Sequence, residues 1–447
     1  MITGTIYLSA EMVTKLGVTL NRIINVRAGN IVTTAKLAID STQRSTYALS
    51  PELLRYLHME QLSHLQLRYD ADTHLIHIGP IIGILSSFLP NRNEFDPKSI
   101  QAELIYLSNI GRTLPAEIFV FTPSSINWKN MTTRGYCYRK IGNTQGEWVS
   151  SVYPLPDVVY NRIPTRAIEA RRIIKRTKKR LMRLPYLKYF NPAFLNKWKV
   201  HQFLSSNPEL QPYLPETRLL NTINLAQMLQ NHHELYLKPC NGSLGRGIIK
   251  VTVSSQGNIK FIINGRYKLR GTAANHVELL KKTQRYRKGK AYIVQQGLSL
   301  ATYKGCPFDI RIIFQKNHIG EWQLSKKFIR VAPRGSSISN LSSGGRAEKS
   351  NIVFKDIYKD QKIIDTKNNQ MRNLCQIVAS TLEKSSKLIY GELGLDIGID
   401  QLGHPWLIEV NSKPRKSTRT NFSQVIVKNS FKRPLQYAIF LAGFNNY

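Results

Sequence analysis

The sequence predicts a chain of mixed α/β and α+β class: a small β-rich unit over 1–80, an α/β unit over 81–190 and a larger α+β unit over 191–447. Three observations carry this. A strand-rich pattern occurs twice before residue 80, helix and strand patterns alternate over 81–165, and later apolar strands are joined by glycine-bearing turns. At 447 residues the chain is also too long for one ordinary core.

In the first unit, YLSAEMVTKLGV (7–18) is echoed by ALSPELLRYLHM (48–59), with Leu8, Ser9, Glu11 and Leu16 matching Leu49, Ser50, Glu52 and Leu57. Both serines are placed to cap a short helix, and Pro51 takes the first helical position, where its missing N–H costs little. Each copy runs into a β-rich stretch, RIINVRAGNIVTTAKLAI or LQLRYDADTHLIHIG. Two such halves predict a small barrel of roughly the double-psi kind.

In the second unit, SIQAELIYLSNIGRTL (99–114) reads as an amphipathic helix, AEIFVFTP as a strand, and PLPDVVYNRIPTR (154–166) as a buried strand with a polar end. This alternation implies a parallel sheet. Next comes RRIIKRTKKRLMR (171–183), spaced so that Ile173, Ile174, Leu181 and Met182 could share part of a helix face. Beyond it lie the helix NKWKVHQFLSS, a Pro-rich connection, the helix NLAQMLQNHHE and the strands described below.

Composition narrows the function classes. An apolar fraction of 42% with 21% charged residues is globular. The longest apolar candidate, LIHIGPIIGILSSFL (75–89), is broken by Gly and Pro and falls short of the ~20 residues of a membrane helix. No secretory signal is visible at the N-terminus, so a soluble protein made in the cytoplasm is expected. Cys137, Cys240, Cys306 and Cys375 form no CxxC pair, which argues against structural zinc and a disulfide framework. The ten histidines show no HxxxH pattern. With 64 basic against 28 acidic residues the net charge is +36, a surface that attracts polyanions. The 171–183 run is either an anion-binding patch or a solvated helix bridging two domains. No nucleic-acid motif accompanies it, so nucleic acid is not the expected partner.

The chemistry-bearing stretch begins at YLKPCNGSLGRGIIKV (236–251). A lysine precedes a glycine loop that joins two strands, the reverse of a P-loop, where the loop leads into a helix. This is either a hairpin turn or a mobile loop that folds over phosphates while Lys238 reaches in from the strand floor. Further on, AYIVQQGL (291–298) is a strand with a polar end, and KGCPFDIRIIF (304–314) places Asp309 and Arg311 on one face of a strand. In GELGLDIGIDQLGHPWLIEVNSKP (391–414), Asp396 and Glu409 fall on two strands joined by a turn, and Asn411 shares the side of Glu409. Two carboxylates and an amide oxygen suit a hard cation such as Mg²⁺, with nucleotide phosphates completing its shell.

At these residues the chain resembles the ATP-grasp superfamily of carboxylate–amine ligases, whose motifs LKPCNGSLGRG, VQQGL, FDIR and IEVNSKP match in order and spacing over about 190–415. SISNLSSGG (337–345) resembles a loop of the branch that adds glutamate to ribosomal protein S6. With IGPIIGIL (78–85) and PLPDVVYNRIPTR included, nearly the whole chain is similar to the YheC/YheD group of endospore coat-associated ATP-grasp proteins.

The resemblance implies ATP and Mg²⁺ as cofactors and assigns roles. Lys238, with Lys199 as partner, would contact the α- and β-phosphates, and Gly242, Ser243, Gly245, Arg246 and Gly247 would close over them. Gln295, Gln296 and Leu298 would meet adenine, and Asp309 the ribose hydroxyls. Arg311, Arg330 and Asn340 would neutralise the γ-phosphate and the developing acyl phosphate, and Asp396, Glu409 and Asn411 would hold Mg²⁺. The chain departs from the pattern in three places. Gln295 stands where the hinge commonly has an acidic residue. Ile338 stands where the S6-modifying branch has an arginine, leaving that contact to Arg330 or Arg334. The Asp396–Glu409 interval is one residue longer than in that branch, with Asp400 as a fallback ligand.

The expected activity is therefore ATP-dependent carboxylate–amine ligation through an acyl phosphate in sporulation, on unidentified acid and amine substrates such as an anionic peptide or polymer. Two rivals are a non-catalytic spore-coat protein that keeps ATP binding and a polyanion- or nucleic-acid-binding protein.

Overall fold

The computed structural model describes residues 2–19, 22–40, 47–59, 65–87, 99–139, 146–242, 245–254, 256–264, 268–334, 345–418 and 423–444. Their strands form four sheets.

The first is six-stranded, in the spatial order Tyr47–Leu49, Ile2–Leu8, Ile31–Ile39, Ile23–Ala28, Leu75–Gly79, Gln66–Asp70. Ile2–Leu8 runs parallel to Ile31–Ile39, and Ile23–Ala28 parallel to Leu75–Gly79. The sequence repeat is visible as local geometry. Ser9 (φ −67, ψ 156) accepts from the Met12 amide and Ser50 (φ −63, ψ 154) from the Leu53 amide, each opening a short helix. Leu8, Leu49, Leu53 and Leu57 of the matched segments are buried, whereas Leu16 is only partly so.

The second sheet has four parallel strands, ordered Glu117–Phe121, Ile81–Leu85, Val158–Asn161, Lys188–Phe190, the last at its edge. Two antiparallel strands, Thr132–Arg139 and Glu147–Pro154, extend it beyond Glu117–Phe121. The apolar run 75–89 thus becomes two strands, Leu75–Gly79 and Ile81–Leu85, in different sheets. No helix among the described residues is long and apolar enough to cross a membrane. Asp157 ties the two sheets together, accepting from Arg27 Nη2 and the Ile81 amide, both at 2.9 Å, beside His77 Nε2 at 3.0 Å.

The basic helix spans Arg172–Leu181 and buries Ile174, Thr177 and Leu181. The expected shared face is corrected here, since Ile173 (54% exposed) and Met182 (45%) lie outside. Each is one residue, about 100° of helical turn, away from the buried stripe.

The last two sheets are antiparallel and form the walls of the site. One runs Thr217–Leu219, Tyr292–Gln296, Glu234–Pro239, Ile249–Val253, Ile259–Asn264, Lys268–Ala273. The other runs Arg346–Glu348, Trp322–Val331, Cys306–Lys316, Glu392–Ile399, Pro405–Asn411. Each has its own core, with Leu235, Leu237, Val251 and Val294 in the first and Phe308, Ile312, Leu393 and Leu395 in the second. The final helix, Gln424–Leu441, packs Val427, Phe431 and Leu435 against Leu104, Val158 and Tyr160 of the second sheet's layer. The chain's end therefore closes back on its middle.

Candidate functional site

Between these two walls lies a cleft of about 310 Å³. The strand Glu234–Pro239 alternates strictly: Leu235 and Leu237 enter the core, while Glu234, Tyr236 and Lys238 line the cleft. Pairing with Ile249–Val253 makes the glycine segment a hairpin connection. Gly245 (φ 70) and Gly247 (φ 76) occupy the left-handed region, which explains why glycine recurs there.

Lys238 Nζ donates to Gln295 Oε1 at 2.5 Å, and Gln295 Nε2 to Thr217 Oγ1 at 2.9 Å. Burial, reinforced by Lys197, lowers Lys238 to about 8 even though Glu409 and Asp396 pull the other way. Tyr236 lies under two ammoniums, Lys238 at 5.5 Å and Lys250 at 5.8 Å from its ring centroid. Lys250 is paired with Glu234 at 2.6 Å.

The opposite wall carries an ion-pair chain written into the strand register. Asp309 faces Arg330 across one ladder, and Arg311 faces Asp396 across the next. Arg330 grips both Asp309 oxygens, with Nε at 2.9 Å from Oδ1, and reaches Asp396 Oδ2 at 2.9 Å. Arg311 Nη1 bonds Asp396 Oδ1. Burial would raise the Asp396 carboxyl, but Arg311 and Arg330 outweigh it and hold it below the usual range. Asp396 also stands directly opposite Glu409, and the next pair is Ile397 with Leu407, so Ile408 is an extra residue in the ladder. This bulge lets the consecutive residues Ile408 and Glu409 both line the cleft, which an unbroken strand could not do. Glu409 Oε1 accepts from Lys197 Nζ at 2.6 Å.

The cleft brings together Lys238, Gly242, Gly245, Arg246, Gln295, Gln296, Leu298, Asp309, Arg330, Asp396 and Glu409 of the residues expected from sequence. Arg311 stands behind Asp396. Gly247 and Asn411 adjoin the lining residues without being among them, and the Gly247 carbonyl accepts from the Tyr292 hydroxyl at 3.0 Å. Ser243 and Asn340 lie outside the described residues.

Three expectations are corrected. Lys199 is exposed, and Lys197 lines the cleft in its place; two residues are about 200° apart on a helix, so only one can face inward. Asp400 is consumed by its turn, accepting from the Leu402 and His404 amides and from Trp406 Nε1 at 2.9 Å. Arg334 is exposed and outside the cleft lining, leaving Arg330 of the two. Tyr236 and Glu234, not expected at the site, also line the cleft at period-two spacing from Lys238.

The donor set fits a hard cation shared with a nucleotide. Among the described residues no group of three or more His, Cys, Asp or Glu could hold a metal alone. Mg²⁺ at nucleotide sites needs only one or two carboxylates, with phosphates and water supplying the rest, and Asp396 and Glu409 stand opposite each other for that.

Residues 186–441 match the family model of YheC/D-like ATP-grasp proteins. Endospore coat-associated protein YheD of Bacillus subtilis (strain 168) is 30% identical over 372 residues, 83% of this chain and 80% of that protein. Protein YheC of the same organism, also described as endospore coat-associated, is 25% identical over 354 residues, 77% of this chain and 94% of the relative. Among solved structures, D-alanyl-alanine synthetase A from Vibrio cholerae aligns with a TM-score of 0.47 and 15% identity, over 82% of this chain and 98% of its own. The D-Ala:D-Ser ligase of Enterococcus faecalis aligns at 0.45 and 12%, over 81% and 99%. The chain belongs to the YheC/D-like ATP-grasp family.

Proposed function

We propose that this protein is a Mg²⁺- and ATP-dependent carboxylate–amine ligase acting in the bacterial endospore envelope. The observation that carries the reading is the convergence of Lys197, Lys238 and Arg330 with the opposed carboxylates Asp396 and Glu409 in one cleft between two sheets. The spore setting rests on the coat-associated relatives.

In this reading ATP lies with its adenine against Gln296 and Leu298 and its phosphates between Lys238 and Lys197, under the loop that holds Gly242 to Gly247. Asp396, Glu409 and Asn411 would hold Mg²⁺, which supplies charge neutralisation between neighbouring phosphates. A substrate carboxylate oxygen attacks the γ-phosphorus, the bond to ADP breaks, and an acyl phosphate forms. Arg330 faces the charge that develops there, Asp309 fixes its guanidinium by a two-point grip, and Arg311 holds Asp396 from behind. The substrate amine then attacks the acyl carbon, inorganic phosphate leaves, and the amine's proton passes to solvent. This chemistry needs positioned charges and no protein nucleophile.

Calorimetry tests the nucleotide step: ATP should bind in a Mg²⁺-dependent manner, and Lys238→Ala and Glu409→Ala should each weaken binding severely. Hydroxylamine trapping with candidate acids tests the acyl phosphate. Binding without trapping on any acid would favour a coat protein that keeps ATP as a ligand; binding indifferent to both substitutions would sink the reading.

A further inference from the structure

We propose that the exposed faces of helix Arg172–Leu181 form a docking surface for an acidic polypeptide. Between Asp157 and Glu209 the chain holds thirteen Lys and Arg and a single acidic residue, Glu169. Eight of the cations fall within 171–183.

Much of this charge is placed against helix stability, although Lys178, Lys179 and Arg180 in the last turn suit the negative end of the dipole. The N-cap is Arg171, whose side chain makes no capping bond, and the first turn has no acidic residue, so cations face the positive end of the helix dipole. Arg172 and Arg176, Lys175 and Lys179, and Arg176 and Arg180 are like-charged pairs four residues apart, a spacing that destabilises a helix. Burial of Ile174, Thr177 and Leu181 holds the segment in place regardless. Among the described residues, Lys178 alone of the eight has a carboxylate within ion-pair distance, Glu169 at 2.8 Å. Arg171, Arg172, Lys175, Arg176, Lys179 and Arg183 are exposed. Exposed charges that cost the fold and find no carboxylate partner among the described residues are explained by an external anion.

Three features favour a polypeptide over a nucleic acid. Arg172, Arg176 and Arg180 form a row with a rise of about 6 Å per step, close to the ~6.6 Å between alternate side chains of an extended strand. Ile173 and Met182 stand exposed among the cations, where a bare phosphate backbone would have no use for them. The neighbouring aromatics are not free for base stacking, because Arg180 lies 4.0 Å over the Trp128 ring and Tyr189 is buried. Glu169 also accepts from Lys413 at 2.6 Å, two residues beyond Asn411, which anchors the surface beside the cleft without making it part of the nucleotide chemistry.

The test uses the full-length protein and fluorescein-labelled poly-L-glutamate, read by anisotropy at about 0.15 M salt, where only close charges act strongly. Joint reversal of Arg172, Lys175, Arg176 and Lys179 to glutamate should weaken binding at least tenfold (about 1.4 kcal/mol). An equal reversal of Lys362, Arg372 and Lys384 on helix Gln361–Ser386 and of Lys387 at its C-cap should change it less than about twofold, within the range of scattered surface charges. ATP binding should be the same in both variants, so failure here is separable from failure of the ligase reading. Equal losses in the two variants would overturn the proposal by showing unspecific attraction to net charge. Tighter binding of a DNA duplex, or of phosphatidylglycerol vesicles, through the same four residues would also overturn it, in favour of those partners.

Discussion

Lys238 donates to the neutral amide of Gln295 at 2.5 Å, and among the described residues the ammonium on the cleft floor has no carboxylate within ion-pair distance. Lys197, Glu409, Asp396 and Gln295 face it, and the net result of burial and these neighbours is a value of about 8.

A pH dependence follows. The free protein's charged fraction at Lys238 falls as pH rises through about 8, and the phosphate-binding form is lost with it. ATP affinity should therefore decline on the alkaline side. Gln295→Glu places a carboxylate against the ammonium, which raises its pKa and should move the decline upward by at least about one pH unit. Calorimetric titrations of ATP across the alkaline range decide this; coincident profiles for the two proteins would refute it.

The helix that opens at Asn196 offers two lysines, only one of which reaches the cleft. Lys197→Ala should weaken ATP binding ~10- to 100-fold, the worth of one lost charge-assisted hydrogen bond. Lys199→Ala, on the exposed face, should leave the dissociation constant within about twofold. Parallel titrations of the two variants check the pair.

The bulge at Ile408 makes a sharper demand. Deleting Ile408 removes the extra residue and leaves Asp396–Glu409 and Ile397–Leu407 as adjacent pairs of a regular ladder, with Glu409 still toward the cleft, so Mg²⁺-dependent ATP binding should persist. Ile408→Gly keeps the bulge and should keep binding too. If the folded deletion variant no longer binds, the register around the bulge is not what aims Glu409.

Glu169 is buried between Lys413 at 2.6 Å and Lys178 at 2.8 Å. Burial raises its carboxyl, but the two ammoniums outweigh this and hold it at about 2. Its stabilising effect is thus complete above the unfolded pKa of about 4.3 and fades as pH falls toward the folded value. Glu169→Gln leaves Lys413 buried without its counter-charge and should cost ~3–5 kcal/mol at neutral pH. Thermal melts should show the gap between the two proteins narrowing on acidification.

The neighbouring isoleucines of the basic helix provide a contrast in packing. Ile174 is 2% exposed and Ile173 is 54% exposed. Ile174→Ala should cost ~2–5 kcal/mol, whereas Ile173→Ala should stay within about 0.5 kcal/mol. Denaturant midpoints measure both.

The residues that were legible in the sequence are those whose meaning is local. Ser9 and Ser50 cap helices because a serine before an apolar-periodic run has a donor in reach wherever it sits. Lys238, Asp309 and Glu409 could be placed on strands because apolar alternation fixes which neighbours share a face. The choice between Lys197 and Lys199 was not legible, since it depends on which side of a short helix meets the sheet.

By itself, then, the sequence determined the repeat, the strand–turn–strand motifs and the residue types of the cleft, all of which follow from periodicity within one segment. Only the tertiary structure decided which of these residues meet. Arg330 grips Asp309 because strand register sets them opposite, Ile408 joins Glu409 in the cleft lining because a bulge adds one residue to their strand, and the final helix seals against the second sheet. Register, bulges and inter-element packing are settled by contacts between distant segments, and the spacing within a single segment does not encode them.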